Sequence, residues 1–262
     1  MIWNGTYLTE VSHFSFLSAN LALHSSVMDE HVNVLLPVEN SSTVVSSAPV
    51  GYNAASTSLS QTLGRVASCL AKPTLSLYTF IHHLGELQDW ADSAPESLKR
   101  IHFTLNSLRM IDFLNLRWFD AVMVATKPFL ASLARFGGSL LPSNLHKFFY
   151  FCANVGALAA RETLLLMRHL EAQHLLKGLT GFEQHFLLQS AGVLALSTVV
   201  QMGRPEERLR YKECVEMLRR LPGGQHQKLI GEMQGVESQL ERLATAKGTN
   251  TPYGVVCCIT DV

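Results

Sequence analysis

The sequence predicts an all-α protein, an irregular bundle of several helices that follows a loosely ordered N-terminal segment. Apolar residues recur at helical spacing from Ala54 to about Ala246, and glycine, proline and serine separate the periodic segments. No segment offers a run of strands. We therefore expect an irregular, loop-rich segment over residues 1–53, one helical domain over 54–246 and a flexible tail over 247–262.

Composition excludes several classes of protein. The 262 residues are 47% hydrophobic and 16% charged, which is not the composition of a disordered chain. With 21 basic and 21 acidic residues the net charge is zero, so we expect no nucleic-acid binding by these residues themselves. The longest apolar stretches, residues 148–160 and 192–200, fall short of the roughly 20 residues that span a bilayer. These features predict a soluble intracellular protein without membrane contact.

The first half of the helical region predicts three helices. The first runs from Ala54 to about His83 with a kink at Pro73, because proline lacks the N–H that the helix needs. A short connecting helix covers Ser93–Ile101, with Ser93 as its N-cap. The third, Leu105–Leu133, is apolar on nearly every side and belongs in the middle of the domain. Its polar residues fall three or more apart and can pair along one stripe: Arg109, Asp112, Arg117 and Asp120.

The second half predicts four more helices. A long one covers Asn144–Leu176 and ends at Lys177-Gly178, and an apolar one covers Phe182–Gln201. Arg204–Leu221 is amphipathic, with Tyr211, Cys214, Val215 and Leu218 on one face. The last, His226–Ala246, carries an apolar seam at alternating spacings of four and three: Leu229, Met233, Val236, Leu240 and Leu243. This seam predicts either packing on the domain or a helix–helix dimer contact.

Candidate catalytic groups are weak. No glycine-rich phosphate loop or HExxH pattern is present, and the five cysteines form neither a disulfide framework nor a zinc knuckle. Cys152 lies in an apolar setting that raises a thiol pKa. Asp120 and Glu162 lie on apolar helices, where they serve either as structural ion pairs or as an acid–base pair. We expect a protein that is not an enzyme and binds no cofactor or metal through this chain.

One segment resembles a known family. The block Leu114–Leu130 is similar to the aromatic-rich helix ending in Arg-Pro-Phe-Leu of the fungal-specific transcription factor domain, the middle homology region of zinc binuclear cluster factors. The signature residues here are Trp118, Phe119, Lys127, Pro128 and Phe129, and Lys127 replaces the family's usual Arg. A Cys/Ala-Ala helix and an apolar helix starting at Phe182 follow in the family's order, so the resemblance covers roughly residues 25–220.

The resemblance implies a function. It implies the C-terminal half of a regulatory domain in a nuclear transcription factor, with the transcription machinery, a partner subunit or a second copy as its partner. The six-cysteine zinc cluster that reads DNA in the family is missing, so the family's zinc and DNA contact would lie in a segment outside this chain. The alternatives are a helical scaffold or dimerisation module using the Leu229–Leu243 seam, and an enzyme on a helical bundle.

An effector pocket is the last expectation. In a regulatory body, an effector shifts populations by binding one conformation more tightly than another. The residues that would line the pocket are Trp118, Met123, His185, Phe186 and Gln189. A packed core is the other interpretation of these residues.

Overall fold

The computed structural model describes residues 49–70, 76–95, 98, 108–136, 143–176, 181–200 and 205–220, together with residues 231, 235 and 238. None of these residues lies in a strand, and six long helices contain most of them, so the all-α class is confirmed. The helices are α1 (Tyr52–Leu70), α2 (Leu77–Ser93), α3 (Leu108–Phe136), α4 (Ser143–Ala172), α5 (Gly181–Val200) and α6 (Pro205–Arg220). Residues 1–48 and the expected tail over 247–262 lie outside the described residues.

The chain divides into two compact units, Met1–Ala125 and Thr126–Val262. The first contains α1, α2 and the N-terminal part of α3, and the second contains the rest of α3 with α4, α5 and α6. The expected single helical domain over residues 54–246 stays a prediction.

In the first unit, α1 and α2 pack against each other. The indole N–H of the buried Trp90 donates to the carbonyl oxygen of Ala55 at 3.0 Å, which joins the end of α2 to the start of α1. At the other end of α1, the Arg65 guanidinium lies 3.2 Å from the Glu86 carboxylate. The pair is therefore fixed at both ends by polar contacts around an apolar core of Leu59, Leu63, Val66, Phe80 and Leu87.

Two predictions in this region are wrong. The expected helix over Ala54–His83 is two helices, because Ser76 starts a new one by accepting a hydrogen bond from the Thr79 backbone N–H at 3.4 Å. Ser93 ends α2 rather than capping the next helix, and its hydroxyl donates to the carbonyl of Trp90 at 3.2 Å. Pro73 and most of the expected Ser93–Ile101 helix lie outside the described residues.

Helix α3 contains a proline without ending there. Pro128 leaves the carbonyl of Val124 without its helical N–H partner, yet the helix continues to Phe136. The Ser132 hydroxyl donates to the Pro128 carbonyl at 2.8 Å. The observed helix begins three residues later and ends three residues later than the predicted Leu105–Leu133.

In the second unit, α5 packs against both α4 and α6. Glu183 and His185 are its only acidic or basic side chains. Apolar residues on several sides of it are buried, as expected for a helix between two neighbours: Phe186, Leu187, Ala191, Val193 and Leu194. The predicted apolar face of α6 is confirmed, with Tyr211, Cys214, Val215 and Leu218 all buried.

Helix α4 ends five residues before the predicted stop at Lys177-Gly178. His174 has a φ of 56°, the left-handed conformation that glycine usually supplies. The N–H of Leu175 donates to the Leu170 carbonyl at 2.9 Å, and the N–H of His174 donates to the Glu171 carbonyl at 3.0 Å. These two bonds form a Schellman motif, so hydrogen bonding ends the helix although a histidine stands at the left-handed position.

The predicted C-terminal helix over residues 226–246 is described only at Gly231, Gly235 and Ser238, which are helical and exposed. The five seam residues from Leu229 to Leu243 lie outside the described residues.

A close approach joins α3 to α4 within the second unit. A Cβ atom added at Gly156 would lie 2.4 Å from the Thr126 Oγ1 and 3.3 Å from its Cβ. Thr126 is buried and its branched side chain has few alternative rotamers. Only glycine therefore allows this separation of the two helices.

We expect Gly156→Ala to lower the free energy of unfolding by about 1–3 kcal/mol, because the added methyl overpacks the contact. The control is Gly192→Ala in α5, where nothing lies within 4 Å of an added Cβ, so the gain in helix propensity should stabilise the protein. Urea unfolding of the two variants measures both values. Equal effects from the two substitutions would contradict the close contact.

Candidate functional site

The five signature residues all lie on α3, but in different units. Trp118 and Phe119 belong to the first unit, and Lys127, Pro128 and Phe129 belong to the second. The predicted pocket residues divide in the same way, with Trp118 and Met123 in the first unit and His185, Phe186 and Gln189 in the second.

In the first unit, Trp118 joins α3 to α2 through a hydrogen bond. Its indole N–H donates to the carbonyl oxygen of Leu87 at 3.0 Å, and its ring lies 4.9 Å from that of Phe119. Met123 is completely buried. Trp118 and Phe119 are only partly buried, and the effector pocket and the packed core both stay predictions for these residues.

A buried polar cluster in the first unit centres on Arg117. Its guanidinium donates to the hydroxyl of Ser56 at 2.6 Å and to the hydroxyl of Ser60. Burial lowers the pKa of Arg117, and the charges of Tyr52 and Asp120 oppose that change. Burial also raises the pKa of the Tyr52 phenol. Sequence reasoning anticipated the pairing of Arg117 with Asp120 but missed the serines, whose one-turn spacing on α1 was the available signal.

This cluster leads to a stability prediction. Ser60→Ala removes an acceptor of a charged hydrogen bond, so the free energy of unfolding should fall by about 1.5–3 kcal/mol. Ser58→Ala, on the same helix, is the matched control and should change it by less than about 0.5 kcal/mol. Chemical denaturation of both variants provides the comparison, and equal values would remove the role assigned to Ser60.

In the second unit, α3 and α5 meet through polar side chains. The Lys127 ammonium donates to the Gln189 side-chain oxygen at 3.3 Å, and both residues were singled out from the sequence. His185 lies one helical turn before Gln189 and is buried, with its ring centroid 5.7 Å from that of Phe186. The arrangement places an ammonium, an amide and an imidazole on two adjoining helices, which suits a ligand that carries hydrogen-bond acceptors.

Phe129 anchors the signature segment to α4. Its buried ring meets the rings of Phe148 and Phe149 edge-on, with centroid separations of 5.5 and 5.0 Å. Edge-to-face aromatic pairs contribute stability beyond the area they bury. The signature residues of the second unit therefore hold α3 against α4 and α5.

The carboxylates differ from the sequence prediction. Asp120 is buried as expected, but Glu162 is only partly buried. The fully buried carboxylates of the second unit are Glu183 and Glu207. Glu207 was not among the residues singled out from the sequence. Its signal was its position on the same face as Tyr211, Cys214 and Leu218.

Three ion pairs join α4 to α6. Arg161 pairs with the buried Glu207, Arg168 lies 3.0 Å from Glu213, and Arg220 lies 2.9 Å from Glu171. Since the residue numbers rise together on both helices, α4 and α6 run parallel. Arg161, which directly precedes Glu162 in the chain, forms its ion pair with Glu207 on α6.

Removal of the Glu207 charge should be costly. Arg161 is only 24% exposed, so Glu207→Gln leaves a poorly solvated cation and should lower the free energy of unfolding by about 3 kcal/mol. Glu206→Gln, whose side chain is 72% exposed, should cost less than about 1 kcal/mol. Thermal and urea unfolding distinguish the two, and a neutral Glu207→Gln would show that the pair contributes nothing.

The described cysteines are buried and form no disulfide with one another: Cys69, Cys152 and Cys214. Burial raises the pKa of the Cys152 thiol to about 12, in agreement with the expectation from its apolar neighbours. Burial also raises the pKa of Cys214, with a smaller contribution from Glu213. The Cys152 and Cys214 thiols are therefore protonated at neutral pH and are poor nucleophiles.

The described part of the chain has neither a cluster of metal-ligating side chains nor a membrane-spanning helix. Within it, no group of three or more His, Cys, Asp or Glu side chains is placed to hold a metal ion. Among the same residues, no helix combines the length and apolar character needed to cross a bilayer.

Comparison with known proteins gives no relative: no family model, no curated protein and no solved structure matches this chain.

Proposed function

We propose that this chain is the helical regulatory part of a nuclear transcription factor of the fungal-specific type, and that it acts through contacts with other proteins. The observation that carries the proposal is the position of the signature block Leu114–Leu130. The whole block lies on the continuous helix α3, and α4 and α5 follow it in the order that the resemblance implies.

The contacts of the signature residues support a regulatory role. Lys127 bonds α5 through Gln189, and Phe129 packs on α4, so one short segment of α3 holds both helices. A ligand or partner that competes for the Lys127 ammonium would release α5 from α3. Binding to one arrangement more tightly than to the other then shifts the population between them.

DNA and zinc belong to a different segment in this proposal. The zero net charge argues against a phosphate-binding surface on these residues. The five cysteines do not make the six-cysteine pattern, and the three described ones are buried, so they do not fit the family's zinc site.

The proposal is tested by fusing the full chain to a heterologous DNA-binding domain in a yeast reporter strain. We expect nuclear localisation and a change in reporter expression of several-fold. Gln189→Leu, which removes the acceptor of the Lys127 bond, should alter that response at unchanged protein level. Gly192→Ala is the control because nothing lies near the added methyl.

A folded fusion that leaves the reporter unchanged would contradict the proposal. If self-association is also abolished by Leu240→Glu, the scaffold or dimerisation module becomes the better description.

A further inference from the structure

Helix α4 carries a line of exposed apolar side chains. Phe151, Leu158 and Leu165 are 59%, 54% and 47% exposed. They are seven residues apart and therefore lie on the same side of the helix. Single exposed apolar residues are ordinary, but a continuous line of them marks an interaction surface.

The contacts of α4 with the rest of the second unit determine which way its exposed apolar side faces. The opposite side of α4 is buried against the unit, at Ala153, Ala157, Ala160, Leu164 and Met167 among others. The ion pairs of Arg161 and Arg168 with α6 lie at the border of the exposed side. The line therefore faces away from α5 and α6, and no rotation of α4 can bury it without breaking these pairs.

Two charged residues flank the line without an ion pair in the described part of the chain. Lys147 is exposed, and Glu162 is partly buried. Lys147 lies four residues before Phe151, and Glu162 lies four residues after Leu158. Residues 147–162 of the face therefore have the same spacing in both directions about the Asn154–Val155 bond, with a cation at one end and an anion at the other, and Leu165 lies beyond this symmetric part.

We propose that this face binds a second copy of the same chain, with α4 antiparallel to its counterpart about a two-fold axis near Asn154–Val155. In that arrangement Phe151 lies opposite the partner subunit's Leu158, and Lys147 lies opposite the partner subunit's Glu162. The symmetry repeats both contacts, so each dimer contains two apolar pairs and two ion pairs. An isologous interface requires this kind of self-complementary surface.

A second copy explains the charges as well as the apolar line. A parallel pair of α4 helices would place Lys147 against Lys147 and Glu162 against Glu162, which is unfavourable. Because the contact is essentially one helix pair, it falls in the class of small interfaces below about 1,200 Å². We therefore expect a reversible dimer with a micromolar dissociation constant.

Sedimentation equilibrium of the full chain over a range of micromolar concentrations tests the dimer. Leu158→Glu places a carboxylate within the apolar face, close to the two-fold axis. It should weaken dimerisation by at least about 10-fold. Leu209→Glu is the matched control, because Leu209 on α6 is also exposed, at 66%, and lies outside the face. It should leave the dissociation constant unchanged, and both variants should keep the wild-type melting curve as dilute monomers.

A charge exchange tests the antiparallel register. Lys147→Glu or Glu162→Lys alone creates two like-charge contacts and should weaken the dimer by about 5–10-fold at low salt. The double variant Lys147→Glu/Glu162→Lys should restore wild-type affinity. Carbodiimide cross-linking of mixed light and heavy-isotope chains should give a Lys147–Glu162 link between copies.

Three results would overturn the proposal. The first is a wild-type chain that stays monomeric throughout the micromolar range. The second is a dimer unaffected by Leu158→Glu and lost on Leu240→Glu, which would place the interface on the C-terminal seam. The third is a charge exchange whose double variant is no tighter than the single ones, which would exclude the antiparallel register.

Discussion

The buried carboxylate of Glu207 determines how the second unit is assembled. A fully buried anion has to be paired, and its partner is Arg161 on α4. That pair, with Arg168–Glu213 and Arg220–Glu171 further along, sets both the direction and the rotation of α4 against α6. The side of α4 that remains outside is a consequence of this pairing. The apolar line on α4 is thus exposed because the charges face α6.

The first unit also contains a poorly solvated charge, but hydroxyl groups rather than a single ion pair stabilise it. Arg117 is largely removed from water, but two hydroxyls of α1 accept hydrogen bonds from its guanidinium. The nearby charge of Asp120 favours the ionised form of Arg117. Neutral acceptors satisfy the hydrogen bonds while one carboxylate supplies the charge. In both units, a poorly solvated charge, Arg117 in the first and Glu207 in the second, fixes one helix against another.

Features of the fold that depend on apolar periodicity could be predicted from the sequence, whereas features that depend on a single cap or backbone conformation could not. The ranges of α3, α5 and α6 followed from apolar periodicity and from glycine and proline, and the observed ends differ by one to three residues. The end of α4 was not predictable in this way, because His174 adopts a left-handed conformation that is uncommon for histidine. The separation of α1 from α2 depended on a serine cap that periodicity overlooks.

The candidate site shows the same division. Periodicity placed Phe186 and Met123 in the interior, and the pairing of Lys127 with Gln189 joined two residues that had been chosen separately. Burial of Glu207 was missed because a glutamate in a first turn is favourable in any exposed helix. Glu207 differs from an exposed glutamate in that it lies on the same helix face as Tyr211. That position indicates burial only when a cation on another helix is known to lie opposite it.

Helix α4 connects the interior contacts to the outer surface. Its inner side receives Phe129 from α3, and α5 packs against both α4 and α6, so a change in the Lys127–Gln189 contact acts on a neighbour of α4. Its outer side carries the self-complementary face. A helix packed closely on one side transmits strain as a rotation or shift rather than absorbing it, since protein interiors have little free volume. Rotation of α4 would move Phe151 and Leu158 relative to the two-fold axis and break the match between Lys147 and the partner subunit's Glu162. In the proposed dimer, release of α5 and dissociation would be coupled through α4. By reciprocity, a ligand that releases α5 would change the affinity of the dimer by the same factor by which dimerisation changes the affinity for the ligand.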